Sequence, residues 1–257
     1  MFTWKPIYAE IASKLLEFQF NNAALVELLI EMHREGLKAL PYMDKDDEGA
    51  EFPLEEIDPF TFFANFNRGI TDSNRQAILQ FLKSKWELQS DVPADFSGLP
   101  LVNLQKSWLM SFKARRASDH VAKLWSLFAH VSSIKKAEEL DTELFDSCLA
   151  LRNVGLATMT MGMFWVKPDL WISLDDKNIE FAKSLDVPEK PRDGLAYIQW
   201  LKTVREKTDI PICEFSHQAH VRVVEGRGES NSEIATPYSR LFDDFEQADI
   251  VLSLIHI

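Results

Sequence analysis

The sequence predicts a mainly α-helical fold, a helical bundle with a small irregular C-terminal part. Glycine is sparse, 9 residues in 257, which argues for long helices and against a Gly-rich β protein. Apolar side chains recur at helical spacing along most of the chain. Asp, Asn, Ser or Thr stands ahead of several of these runs, where a helix N-cap belongs. Hydrophobic residues make up 46% of the chain, enough for a sizeable core, and the length suits one large domain or two small ones.

The first helix is expected from Pro6 to Phe20, with Ile7, Ile11, Leu15 and Phe18 recurring on one side and the proline in the first turn. Asn21 or Asn22 caps a second, carrying Leu25, Leu28, Leu29 and Met32 on one face and ending at Gly36. Residues 43–51 read as a polar loop; its acids lack the register of a calcium-binding EF-hand. Asp58 before Pro59 caps a short helix bearing Phe60, Phe63 and Phe66, closed by Asn67-Arg68-Gly69. Thr71-Asp72-Ser73 starts the helix to Trp86, with Ile78, Leu79, Leu82 and Trp86 inward. A long proline-containing segment from Val92 leads to Trp108, too long for a minimal connector. Ser118-Asp119 starts a helix burying Val121, Leu124, Trp125, Phe128 and Val131, and Thr142 starts another. Helices are further expected at Leu156–Val166, Asp176–Lys183 and Leu195–Lys207, the last with Leu195, Ile198, Leu201 and Val204 on one side. Ile212–Val224 reads as mixed helix and strand. The expected organisation is a helical domain at 1–185, a linker with a helical extension at 186–225, and a mobile or truncated tail at 226–257.

The net charge of −12 counts against bulk electrostatic binding to nucleic acid, so any contact must be local. Lys113, Arg115 and Arg116 form the dense basic cluster, and a solvated helix end would explain them equally. Cys148 and Cys213 lack metal-ligand spacing and read as reduced and buried, the pattern of a cytoplasmic protein. No apolar run reaches the length of a membrane span, and the N-terminus has no signal-peptide pattern. No Gly-x-x-x-x-Gly-Lys-Ser/Thr occurs, hence no phosphate-binding loop of a nucleotide-hydrolysing motor. No cofactor or metal site is expected.

The segment Leu151-Arg152-Asn153-Val154-Gly155 reads as a tight hairpin between two helices, with Gly155 free to take positive φ and Asn153 tolerant of it. Backbone N–H groups at Gly155, Leu156, Ala157 and Thr158 would open the second helix as an anion site. Leu174-Asp175 follows twenty positions after Gly155. This resembles the helix-hairpin-helix element of the DNA glycosylase superfamily, where a Leu-Pro-Gly-Val-Gly hairpin precedes a Val-Asp pair and the Asp is catalytic. Arg152-Asn153 stand here for Pro-Gly, and Ala157 stands where bifunctional members carry lysine. Asp175 also fits a plain helix cap.

A wider resemblance rests on the N-terminal Phe-Thr-Trp-x-Pro-Ile-Tyr, Asp58-Pro59-Phe60-Thr61-Phe62-Phe63, Gly98-Leu99-Pro100, Ser107-Trp108, Leu124 to Phe128, and Met161-Gly162-Met163-Phe164-Trp165. Over residues 2–185 the chain is similar to the N-terminal region of McrB-type AAA+ ATPases of modification-dependent restriction systems. That resemblance implies recognition of double-stranded DNA, with modified cytosine as a target, an AAA+ motor module and a nuclease subunit as partners. Under this reading Arg68, Lys113, Arg115 and Arg116 add backbone contacts, and Trp108 or Trp165 stacks against a base. Two other readings stand: a monofunctional glycosylase using Asp175, and a protein-interaction scaffold using the 195–207 helix.

Overall fold

Side-chain caps set five of the described α-helix starts. The computed structural model describes residues 2–226. Helix α1 (Lys5–Leu15) has proline in its first turn and passes into a 3-10 turn at Leu16–Phe18, so the expected helix to Phe20 ends a turn early. Helix α2 (Ala23–Arg34) follows, and Gly36 leaves it at φ +75°. Strands β1 (Met43–Lys45) and β2 (Glu51–Pro53) then pair antiparallel, with Asp44 opposite Phe52. The sequence reading took this stretch as loop. Asp46 turns the hairpin by accepting the N–H groups of Glu48 and Ala50, and Gly49 takes φ +84°.

Helix α3 (Pro59–Ala64) is capped by Asp58, whose Oδ1 accepts from the N–H groups of Phe60 and Thr61. Thr71 caps α4 (Asp72–Trp86) through the Asn74 N–H. Helix α5 (His120–Ser133) starts after Asp119, and Asp141 caps α6 (Thr142–Leu149). Then come α7 (Leu156–Val166), α8 (Asp176–Lys183), α9 (Gly194–Lys207) and α10 (Ile212–Gly226). The last is helical throughout, not mixed helix and strand. The chain is therefore mainly helical, with a two-stranded sheet among the described residues. None of its described helices is long and apolar enough to cross a membrane.

Helix α7 is the axis of the core. Every residue from Met159 to Val166 is buried, the pattern of a helix covered on all sides rather than along one stripe. It packs on α1, α3 and α5. Trp4 meets Phe164 at 5.9 Å between ring centroids, and Trp165 stacks on Phe63 at 6.3 Å. The closest approach is at Gly162, where an added Cβ would lie 2.7 Å from Phe60 Cδ1 and 3.3 Å from its Cγ. Phe60 cannot retreat easily, since its ring is fully buried against Phe128.

The same core extends through α8, α9 and α10. Phe181, Val187, Tyr197, Trp200, Leu201, Val204 and Phe215 belong to it. Tyr197 fixes the strand-like approach to α8 by donating to the Ile172 carbonyl at 2.6 Å. Helix α9 turns Tyr197, Trp200, Leu201 and Val204 inward and leaves Leu195 71% exposed, so the apolar face assigned to a partner is largely used by the chain itself. Apart from its first residue, the tail expected at 226–257 lies outside the described residues.

The Gly162–Phe60 contact makes a direct prediction. Gly162→Ala should lower stability by about 1–3 kcal/mol in urea unfolding, because overpacking against a pinned ring outweighs the roughly 1 kcal/mol that alanine gains over glycine in a helix. Combining it with Phe60→Leu should recover part of that loss in a double-mutant cycle. A stabilised Gly162→Ala variant would contradict the close-packing argument.

Candidate nucleic-acid interface

The hairpin between α6 and α7 takes its turn at Asn153, φ +71°, while Gly155 is extended at φ −99°, ψ 147°. The left-handed residue is thus the asparagine and not the expected glycine. Asn tolerates that region because its short polar side chain can bond locally. Val154 packs into the core, and Arg152, Asn153 and Gly155 are exposed. No side chain caps α7, so its first N–H groups point outward at a surface turn. A Cβ on Gly155 would meet nothing closer than Thr158 Oγ1 at 3.9 Å.

Thr160 ties this helix to the next one. Its hydroxyl lies 2.8 Å from the Leu156 carbonyl and accepts the Leu174 N–H at 2.9 Å. The following residue, Asp175, is the N-cap of α8. Its Oδ1 accepts the Asn178 N–H at 3.1 Å. Its Oδ2 accepts from the Ser173 hydroxyl and from Asn178 Nδ2. Asn178 Nδ2 continues the network to Ser216 on α10 at 3.1 Å. Both oxygens of the expected catalytic candidate are therefore held within the protein, and the geometry is that of a structural cap.

The basic cluster lies beside the hairpin. Ser111 Oγ donates to the Arg152 carbonyl at 3.2 Å across 41 residues of sequence. The loop around it is tied at many points. The Leu109 N–H donates to Thr61 Oγ1 at 2.9 Å, and His120 Nε2 meets the Leu109 carbonyl at 3.2 Å. Arg116 donates to the Ser111 carbonyl and to Asp44, and pairs with Glu56. Asp44, fully buried, also accepts the Lys113 N–H at 2.7 Å. The guanidinium of Arg116, 4% exposed, is consequently engaged inside the protein and not presented to a phosphate. Lys113 pairs with Glu55 at 2.5 Å and keeps its stem at the surface. Arg115 is exposed.

Two further expectations change. Arg68 donates to the carbonyls of Asn65 and Lys38, and burial pulls its pKa down to about 10, so it braces a turn. Trp165 is fully buried, its indole N–H on the Pro100 carbonyl, and offers no face to a base. Trp108 is half-buried, with its ring 6.0 Å from that of Phe112, which is 44% exposed.

The structure adds residues that the sequence reading did not single out. Leu156, at the start of α7, lines an open hollow with Lys183, Glu189, Lys190, Pro191 and Arg192. Lys183, Lys190 and Arg192 are exposed around it. A sequence signal for this surface exists in the placement of acids. Residues 96–118 contain Lys106, Lys113, Arg115 and Arg116 and no Asp or Glu; residues 147–168 contain Arg152 and Lys167 and again no acid. In a chain of net charge −12, these two acid-free stretches meet at the Ser111–Arg152 contact. Lys167 points away from it, donating to the Ile134 carbonyl. Among the described residues no group of three or more His, Cys, Asp or Glu is placed to hold a metal ion.

Residues 4–222 match the family described as Domain of unknown function (DUF8425), and the chain belongs to that family. No curated protein and no solved structure matches it.

The capping network yields a test of Asp175. Asp175→Asn keeps an oxygen for the Asn178 N–H but sets an amide NH2 against Asn178 Nδ2. Stability should fall by about 1–3 kcal/mol, the usual effect of leaving a buried polar group mismatched. A change within experimental error in chemical denaturation would show that the carboxylate is not held as described.

Proposed function

We propose that this member of the DUF8425 family binds the sugar–phosphate backbone of double-stranded DNA where residues 96–118 meet the α6–α7 hairpin. The observation that carries this reading is the Ser111–Arg152 junction of two acid-free segments in a chain of net charge −12. The exposed, uncapped start of α7 lies at that junction, and such a helix end supplies oriented N–H groups and a partial positive charge. Arg115 and Arg152 supply exposed cations there, and Lys183, Lys190 and Arg192 rim the adjoining hollow. Contacts of this type set register on a duplex and carry no base information.

The order of α6, hairpin, α7 and a capped α8 supports likeness to the helix-hairpin-helix element at the level of the chain path. The proposed setting is that of an McrB-type N-terminal region: a cytoplasmic targeting module acting with an AAA+ motor and a nuclease, and reading modified cytosine. The glycosylase alternative is weakened by the full engagement of Asp175. The scaffold alternative is weakened by the use of the α9 face in the chain's own core.

Charge reversal separates these readings. Arg115→Glu and Arg152→Glu should each weaken duplex binding by about 3–10-fold and reduce the salt slope by about one. Their thermal unfolding should match the parent. Gly155→Val should weaken binding as well, since φ −99° suits any residue and the added methyls would cover the first N–H groups of α7. Unchanged affinity in all three folded variants would remove the junction from consideration.

A further inference from the structure

Three cations line one hollow and none of them has a partner. Lys183 ends α8, and Lys190 and Arg192 stand in the turn before α9; Leu156, Glu189 and Pro191 complete the lining. The three cationic side chains are exposed. Other surface cations of the chain are paired: Lys5 with Asp169, Lys85 with Glu31, Arg205 with Glu138. Among the described residues no hydrogen bond or ion pair takes up the charges of Lys183, Lys190 and Arg192, and Glu189 shares their hollow without pairing to any of them. The lining is therefore net positive in a chain of net charge −12.

The turn that carries two of these cations reads as linker in the sequence, yet it is braced at both ends. Asp186 takes φ +56°, and the Val187 N–H donates to the Ala182 carbonyl at 3.1 Å. The indole N–H of Trp200 on α9 donates to the Pro188 carbonyl at 3.2 Å. Pro191 is buried, and its ring fixes φ. The Gly194 N–H donates to Asp146 on α6 at 2.7 Å, and an added Cβ there would lie 3.1 Å from both Phe145 and Thr142 side-chain atoms. Asp193 is committed to capping α9 through the Ala196 N–H. The backbone under Lys190 and Arg192 is thus set before any ligand arrives, which lowers the cost of binding.

The hollow has a volume of about 510 Å³, inside the range of about 300–1,000 Å³ typical of small-ligand sites. It admits a nucleotide-sized group and not only a bare ion. An internal phosphodiester brings one negative charge. A terminal phosphate monoester brings nearly two at neutral pH, with three acceptor oxygens. Three cations around one concavity suit the second group better, and the planar fork of Arg192 can engage two of its oxygens. We propose that this hollow takes the terminal phosphate of a nucleic-acid strand. The inference rests on the backbone-binding reading above and names what one edge of that surface selects, a phosphorylated end over a continuous duplex. Leu156 belongs both to the lining and to the first turn of α7, so a strand leaving the hollow runs onto the proposed backbone surface.

The test is titration of the full chain with one duplex sequence carrying 5′-phosphate ends, 3′-phosphate ends, hydroxyl ends only, or loop-closed ends. At low salt one phosphorylated form should bind about five- to tenfold more tightly than the hydroxyl form, the worth of one added charge beside surface cations. The loop-closed duplex should bind like the hydroxyl form. In the double variant Lys190→Gln, Arg192→Gln the ratio of phosphorylated to hydroxyl affinity should fall to about one. Thermal unfolding should match the parent, because neither side chain bonds within the protein. In Arg152→Glu overall affinity should fall while that ratio persists. Equal affinity of the parent for phosphorylated and hydroxyl ends would overturn the inference and leave the junction reading standing. A ratio that survives the double variant would overturn it too, since the end would then be held elsewhere. A deoxynucleoside monophosphate that binds as tightly as the phosphorylated duplex would assign the hollow to free nucleotide and overturn the strand-end assignment. No binding to any of the duplexes would overturn both readings.

Discussion

The constraint on which the structure turns is the burial of α7 from Met159 to Val166. A helix with no polar face must be wrapped, and α1, α3 and α5 wrap it. That wrapping fixes Gly162 under Phe60 and aligns the aromatic layer of Trp4, Phe63, Phe164 and Trp165. It also fixes the one part of α7 that is not enclosed, its first turn. The Gly155–Thr158 segment is therefore mounted on a rigid rod rather than carried by a loose loop. Preorganised N–H groups need no ordering when they meet an anion, which is the physical advantage the proposed binding turn would draw from its place at the end of a core helix.

The surface around that turn is shaped by exclusion of acids as much as by basic residues. The chain as a whole repels polyanions, which suppresses diffuse binding to DNA. At the junction of 96–118 with 147–168, two stretches without acids are brought together. A buried ion pair and a backbone hydrogen bond keep the loop in place: Arg116 pairs with Asp44, and the Lys113 N–H donates to the same carboxylate. Breaking one member of such a buried pair leaves an uncompensated charge, so the loop is held more firmly than its length suggests.

Much of the helical framework was legible in the sequence because its signals are local. Asp58-Pro59, Thr71, Asp141 and Asp175 each bond the N–H groups two or three residues onward, and the chemistry of a cap does not depend on the rest of the fold. The hairpin was legible in outline, but the turn residue was not: nothing local decides between Asn153 and Gly155 until Val154 is pinned in the core. The β1–β2 hairpin escaped notice because its strands are three residues each and carry charges. The site was least legible. Ser111 finds Arg152 across 41 positions, and Arg116 finds Asp44 across 72. A guanidinium looks the same in sequence whether it faces a phosphate or, like those of Arg68 and Arg116, a carbonyl or carboxylate of its own chain.

The most direct test of the account is the affinity of the parent chain for a labelled DNA duplex, with and without methylated or hydroxymethylated cytosine, at two salt concentrations. The account predicts binding that weakens steeply with salt, as displaced counterions require for about three or four phosphate contacts, and a preference for one modified duplex. Absence of binding at low salt would contradict it and leave the acid-free junction as a surface for another partner.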